Sequence, residues 1–178
     1  MKQSVNVFDY TNEICNALKK GILLTTRADG KTNTMTIGWG HIGIEWGRTI
    51  FVAYIRESRY TRELVDASGS FTVNIPMKDV DPQILRICGT KSGRDTDKIT
   101  LAGLTSVESN QVSAPGFLEF PLTLECKVLY RRLQDLSLVP QDILDRYYPQ
   151  EIDGSNPGKN RDAHFVYYGE IVDAYILS

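Results

Sequence analysis

Six consecutive residues, Arg56-Glu57-Ser58-Arg59-Tyr60-Thr61, concentrate the groups that hold an anion. Two guanidinium groups can fork onto phosphate oxygens, hydroxyls add further donors, and the first N–H groups of a following helix complete a cradle. The same residues also describe a solvated cap at a strand-to-helix junction, and the segment by itself leaves both readings open. A second basic group, Lys91, Ser92, Arg94 and Lys98, lies in a polar stretch whose ordinary reading is a solvated loop. A third candidate surface is Asn33-Thr34-Met35-Thr36 with Trp39 beyond it, where small hydrogen-bonding groups sit among apolar ones beside a flat aromatic face. That mixture suits a planar ligand with polar edges. His164 is one of two histidines and stands beside Asp162 at the start of a strand, where it is either a packed structural residue or a catalytic one. His41, in a glycine-rich turn, has less to support it.

Other chemistries find no anchor. The carboxylates are scattered, and no Ser/His/Asp or Cys/His arrangement can be read from spacing. Cys15, Cys88 and Cys126 lie far apart without the spacing of a zinc site, so reduced, mostly buried thiols are expected. A literal GxGxxG occurs at Gly38-Trp39-Gly40-His41-Ile42-Gly43. The dinucleotide fingerprint needs a helix opening at its last glycine. Here Glu45-Trp46-Gly47 leads into another strand, and Trp39 occupies a position where close backbone approach is required. There is no P-loop. With 20 basic against 22 acidic side chains and a net charge of -2, no strongly basic face marks a nucleic-acid partner. The first residues lack a signal-peptide core, and no run reaches the ~18 apolar residues of a membrane span. A cytoplasmic protein without membrane or nucleic-acid partners is expected, as one domain over residues 1–178.

The elements that must position these residues follow from periodicity. A helix is expected from Tyr10 to Lys20 with Thr11 as N-cap, ended by Gly21. Gly21 to Trp39 reads as a hairpin turning at Ala28-Asp29-Gly30. Gly40 to Arg48 reads as a glycine-rich connection, and Thr49 to Ile55 as a strand covered on both faces. A helix follows over Thr61 to Ala67 with Gly69 as C-cap. Ser70 to Pro76 alternates in the manner of a half-buried strand. Asp81-Pro82 opens a helix that Gly89 ends, and Thr90 to Ile99 is a polar loop. A weak strand is expected near Leu104 to Glu108. A long one covers Leu122 to Leu133, with Leu122, Leu124, Cys126, Val128 and Tyr130 on one face. Gln134 to Pro157 is the least regular stretch, with a short helix at Asp142 to Tyr147, and the last strand runs from His164 to Leu177. Six or seven strands joined by hairpins and short helical detours predict a mainly β (α+β) fold, an antiparallel barrel rather than βαβ units.

Four motifs, NTMTIGWG (Asn33 to Gly40), RESRYT (Arg56 to Thr61), SFTVNIP (Ser70 to Pro76) and CGTKSGRDTDK (Cys88 to Lys98), occur in order and spacing that resemble the flavin reductase-like family, flavoredoxins included. The resemblance covers roughly residues 10 to 177. It implies an FMN-binding split β-barrel with short flanking helices, assembled as a homodimer with flavin at or near the interface. By matched position, Asn33, Met35, Thr36 and Trp39 would line the isoalloxazine and ribityl chain. Arg56, Ser58, Arg59, Tyr60 and Thr61 would surround the phosphate, and Lys98 with Lys91 would reach the cofactor from the other side. His164, in HFVYYG, would stand near where a nicotinamide stacks. The implied activity is an NAD(P)H:flavin oxidoreductase passing hydride from NADH or NADPH to bound FMN and on to free flavin or another acceptor. The alternative is a flavoredoxin-like electron carrier reduced by a protein partner. Because FMN carries the hydride chemistry, either reading explains the lack of a visible triad.

Overall fold

The computed structural model describes residues 1–152 and 161–178. The end of the irregular Gln134 to Pro157 stretch, from residue 153 onward, falls outside them.

Thr11–Lys20 forms helix α1, with Ile14 and Leu18 buried one turn apart. Thr11 is its first residue rather than its N-cap: Tyr10 holds that position, and the Thr11 hydroxyl donates to the Phe8 carbonyl. The expected hairpin is β2 (Ile22–Ala28) and β3 (Lys31–Ile37), which follow a short β1 (Lys2–Ser4). It turns at Asp29 and Gly30, both at positive φ. The glycine-rich connection is itself a strand, β4 (Gly40–Glu45), turning at Trp46-Gly47 into β5 (Arg48–Arg56). Glycines mask a strand in sequence because they carry no side-chain periodicity. Helix α2 (Tyr60–Ser68) ends at Gly69, whose φ of 66° is the left-handed conformation that a helix C-cap requires.

Strand β6 (Ser70–Ile75) departs from the half-buried expectation, because all six residues are buried. Its polar face lies under the chain that follows α3 (Pro82–Thr90) and α4 (Lys98–Leu101), a stretch carrying only the two-residue strands β7 (Ser106–Val107) and β8 (Gly116–Phe117). Burial without water requires these polar groups to pair. Accordingly the Thr72 hydroxyl donates to the Pro115 carbonyl at 2.7 Å, and Asn74 Nδ2 donates to the hydroxyls of Thr25 and Thr72. Glu125, fully buried on β9 (Leu122–Leu133), accepts the backbone N–H groups of Asn110, Gln111 and Val112, fastening the same stretch. Further on, Tyr130 is exposed rather than sharing the buried face of β9, because the register with β10 shifts between Tyr168 and Gly169. α5 (Gln141–Tyr147) and β10 (His164–Leu177) complete the chain.

The strands run β3-β2-β6-β9-β10-β5-β4, antiparallel throughout, with β1 beside β10. Leu24, Ile37, Phe51, Ile55, Phe71, Val73, Leu124 and Tyr167, from strands across this order, meet in one buried cluster. One face of the sheet therefore curls around a common core as a barrel, split where β3 and β4 are the terminal strands. A smaller cluster of Leu23, Cys88, Leu104, Phe117 and Phe120 lies on the other face of β2. Among the described residues, β3 pairs only with β2, so one backbone edge of β3 has no strand beside it. An edge strand leaves the N–H and C=O groups of its outer side unpaired by a neighbouring strand, and residues of β3 line both clefts of the candidate site.

Candidate functional site

Two adjoining clefts contain the residues that the family resemblance assigns to the site, while Thr34, His41 and Arg94 line neither. The first is about 120 Å³ and is lined by Asn33 and Met35 of β3, Ser58 to Thr61 at the entry to α2, Cys88 to Gly93, and Lys98. The second is about 170 Å³ and is lined by Met35 to Trp39, Tyr54, Arg56, Arg59 and His164. Met35 and Arg59 border both, so the clefts form one trough.

The first cleft gathers hydrogen-bond donors and cations. Arg59 occupies the N-cap of α2 without a capping side-chain hydrogen bond, which leaves first-turn N–H groups of a nine-residue helix for a ligand. Asn33 Nδ2 donates to the Thr61 hydroxyl at 2.8 Å, fixing two buried polar side chains against each other. The stretch Lys91 to Asp97 is not a free solvated loop. Arg94 makes a two-pronged ion pair with Glu63 of α2 and stacks its guanidinium 4.7 Å from the Tyr60 ring centroid. At Gly93 the backbone passes so close to Asn33 that a Cβ would stand 2.0 Å from Asn33 Oδ1. Asp97 accepts the N–H groups of Ile99 and Thr100, which starts α4 and turns Lys98 inward. Lys98 is 5% exposed and donates to the Cys88 carbonyl at 3.2 Å. Burial, with Arg59 nearby, lowers its pKa to about 8, while burial pushes the Cys88 thiol up to about 11. A buried ammonium of depressed pKa, facing an uncapped helix terminus, fits a phosphate that would stabilise its charged form.

The second cleft is aromatic. Trp39 does not present a bare face: its ring centroid lies 4.6 Å from that of His164, 5.2 Å from Tyr147 and 6.5 Å from Tyr54. Arg56 separates from the rest of its motif. It sits here rather than with Ser58, Arg59 and Thr61, and its guanidinium is fastened to the Asp162 carbonyl at 2.7 Å and the Tyr147 carbonyl at 2.8 Å. Thr36 is likewise engaged, its hydroxyl donating to Leu85 in α3 at 2.7 Å. Both therefore position neighbouring segments. His164 is 6% exposed, and burial, reinforced by the Arg56 and Arg59 cations against the opposing Asp162 carboxylate, lowers its pKa to about 3. The imidazole is neutral at pH 7.

Sequence reading missed Tyr54, Cys88, Tyr147 and Tyr148. Tyr54 had a signal, since it stands two residues before Arg56 and so on the same side of β5. The others reach the trough through tertiary packing. The trough as a whole has the parts for a phosphate-bearing planar cofactor: donors and a cation at one end, aromatic and apolar walls at the other.

A protein of Archaeoglobus fulgidus described as an uncharacterized protein is 32% identical over 99 residues, which is 56% of this chain and 55% of that one. This chain thus spans about half the length of that relative. Among solved structures, an FMN-binding domain of a flavin reductases-like enzyme from Shewanella baltica superposes with a TM-score of 0.66 at 16% identity, covering 99% of this chain and 77% of its own. Flavoredoxin of Desulfovibrio vulgaris gives 0.63 at 23% identity, covering 89% and 69%. These likenesses establish the split-barrel fold. The model of the flavin reductase like domain matches residues 19–178, nearly the whole chain, and on that match the chain belongs to the flavin reductase-like family.

Proposed function

We propose that this protein binds FMN along the trough and acts as an NAD(P)H:flavin oxidoreductase, delivering electrons to free flavin or another acceptor. The supporting observation is the joining of an anion-type cleft to an aromatic one through Met35 and Arg59. In this reading Ser58, Arg59, Thr61, Lys98 and Lys91 hold the phosphate. Asn33, Met35 and Trp39 wall the ribityl chain and ring, and Thr36 and Arg56 hold those walls. Bound FMN supplies the hydride chemistry. The chain has then to bind it, exclude water, and align a nicotinamide within ~3–3.5 Å of the reacting atom. A neutral, buried His164 suits that alignment as a hydrogen-bonding partner rather than as an acid.

One observation favours the electron-carrier reading. Tyr147 and Tyr148 pack edge-on against the Trp39 ring, and Tyr148 also against His164, which narrows the space a nicotinamide would need. The deciding measurement is the visible spectrum of the purified protein, followed by anaerobic addition of NADH and NADPH in turn. Rapid bleaching by one of them is expected; flavin that stays oxidised until dithionite is added overturns the reductase in favour of the carrier.

The protein is further proposed to act as a homodimer in the cytoplasm. Its three cysteines are free thiols, and no helix among the described residues is long and apolar enough to cross a membrane. Trp46 and Tyr130 are largely exposed and cluster with Tyr168 at ring separations of 5.4 to 6.5 Å, an aromatic face of the kind that interfaces cover.

A further inference from the structure

Tyr148 is 3% exposed, and its hydroxyl lies 2.9 Å from His164 Nδ1 and 2.9 Å from Gln134 Oε1. Three neighbours hold it there. The Gln134 N–H donates to the His164 carbonyl at 2.9 Å, which ties the end of β9 to the start of β10. The Arg56 guanidinium lies 5.1 Å from the Tyr148 ring centroid and bonds the preceding carbonyl, Tyr147. Trp39 meets the same ring edge-on at 6.4 Å.

A phenol has one proton to give. With Gln134 Oε1 turned toward it, Tyr148 donates that proton to the amide oxygen, so its own oxygen must accept from His164 Nδ1–H. A neutral imidazole protonated at Nδ1 carries its lone pair on Nε2. Among the described residues, Nδ1 is the ring nitrogen with a hydrogen-bond partner, and His164 itself lines the aromatic cleft.

We propose that Gln134 and Tyr148 are positioning residues that fix His164 in the Nδ1–H tautomer, so that the aromatic cleft meets an Nε2 acceptor. The site then selects a ligand that offers an N–H donor at that point. On the hydride-transfer reading above, the carboxamide NH₂ of nicotinamide is such a donor, whereas the opposite tautomer would set an N–H against it. The tautomer itself does not depend on that reading.

The test is long-range ¹⁵N NMR of histidine-labelled protein near neutral pH, without and with FMN, using His41→Gln to assign the second histidine. Wild type is expected to show the proton on Nδ1 of His164. Gln134→Leu removes the phenol's acceptor, so Tyr148 should turn its proton to Nδ1 and the imidazole proton should move to Nε2. Tyr148→Phe should release the preference. If Tyr148→Phe does not fold, Gln134→Leu at a half-buried position carries the test alone. A wild-type proton on Nε2, or a Gln134→Leu pattern identical to wild type, overturns the proposal. In kinetics, Gln134→Leu is expected to raise KM for the nicotinamide about tenfold with a smaller change in kcat. Wild type that keeps the Nδ1–H tautomer yet is reduced by neither NADH nor NADPH overturns the hydride reading and leaves the tautomer assignment standing.

Discussion

His164 and Arg56 are register partners, facing each other across the β5–β10 ladder, and both line the aromatic cleft. The pairing places a fixed cation beside a buried imidazole. Arg56 cannot swing away, because the Asp162 and Tyr147 carbonyls hold its two terminal nitrogens. The histidine is therefore kept neutral first by its burial, with the cation that the strand register sets beside it adding to the effect.

Stability should fall with acidification through this residue. The folded-state pKa of about 3 lies below the ordinary 6.5, so the fold favours the neutral ring. Its contribution is complete above pH 6.5 and is lost as pH falls toward 3. From pH 6.5 to 5 the loss is about 2 kcal/mol. Denaturant midpoints measured across that range should fall more steeply for wild type than for His164→Gln.

Lys98 should make FMN binding pH-dependent with the opposite group as its cause. Its pKa of about 8 means that the ammonium deprotonates just above neutrality, while a phosphate beside it favours the charged form. Affinity is expected to hold from pH 7 to 8 and then weaken by up to about tenfold per pH unit. Flavin fluorescence titrations to pH 9.5 check this, and Lys98→Met should bind more weakly with a flat profile over the same range.

Arg59→Ala should raise the Kd for FMN by about 10- to 100-fold, the scale of one or two charge-assisted hydrogen bonds. Thr61→Ala should weaken FMN less, but should also free the Asn33 amide, its partner at 2.8 Å. Unchanged affinity in both would remove the phosphate from this cleft.

Gly93→Ala places a methyl 2.0 Å from Asn33 Oδ1, and Asn33 is held by Thr61. The Lys91 to Asp97 stretch must then lift. A stability loss of about 1–3 kcal/mol is expected, with weaker FMN retention, seen by thermal melts with and without FMN.

Trp46→Arg should convert the proposed dimer to monomer, measured by light scattering on a sizing column. Trp46 sits exposed at a hairpin turn with a φ of 52°, so the monomer itself should fold.

Most of the residues that line the trough were legible in the sequence as candidates, because they lie within short motifs whose chemistry is local; Tyr54 and Cys88 were not. RESRYT places a possible anion site at a helix entry, the β2–β3 hairpin follows from its turn, and the Leu122 to Leu133 and His164 to Leu177 strands have the bounds expected. The strand of Gly40 to Glu45 was not legible, since Gly40 and Gly43 lie within it, Gly38 and Gly47 flank it, and Trp46 and Gly47 take positive φ. Nor was the full burial of β6, which depends on a stretch some forty residues later, with the Pro115 carbonyl receiving the Thr72 proton.

What the sequence determined by itself was the inventory: which side chains could bind phosphate, which could wall a planar ring, and which periodicities make an antiparallel barrel. Tertiary structure decided how they are used. Arg56 stands within the same six residues as Arg59, yet strand register carries it to the aromatic end, where it braces Tyr147 and Asp162 instead of a ligand. Lys98 reads as a solvated charge until Asp97 caps a single helical turn and turns it inward, where burial lowers its pKa. His164 becomes a neutral imidazole of one tautomer because Gln134 and Tyr148 fold back onto it. Local spacing fixes residue type and secondary structure, but burial and hydrogen-bond partnership are set by distant chain segments, and it is these that assign protonation and role.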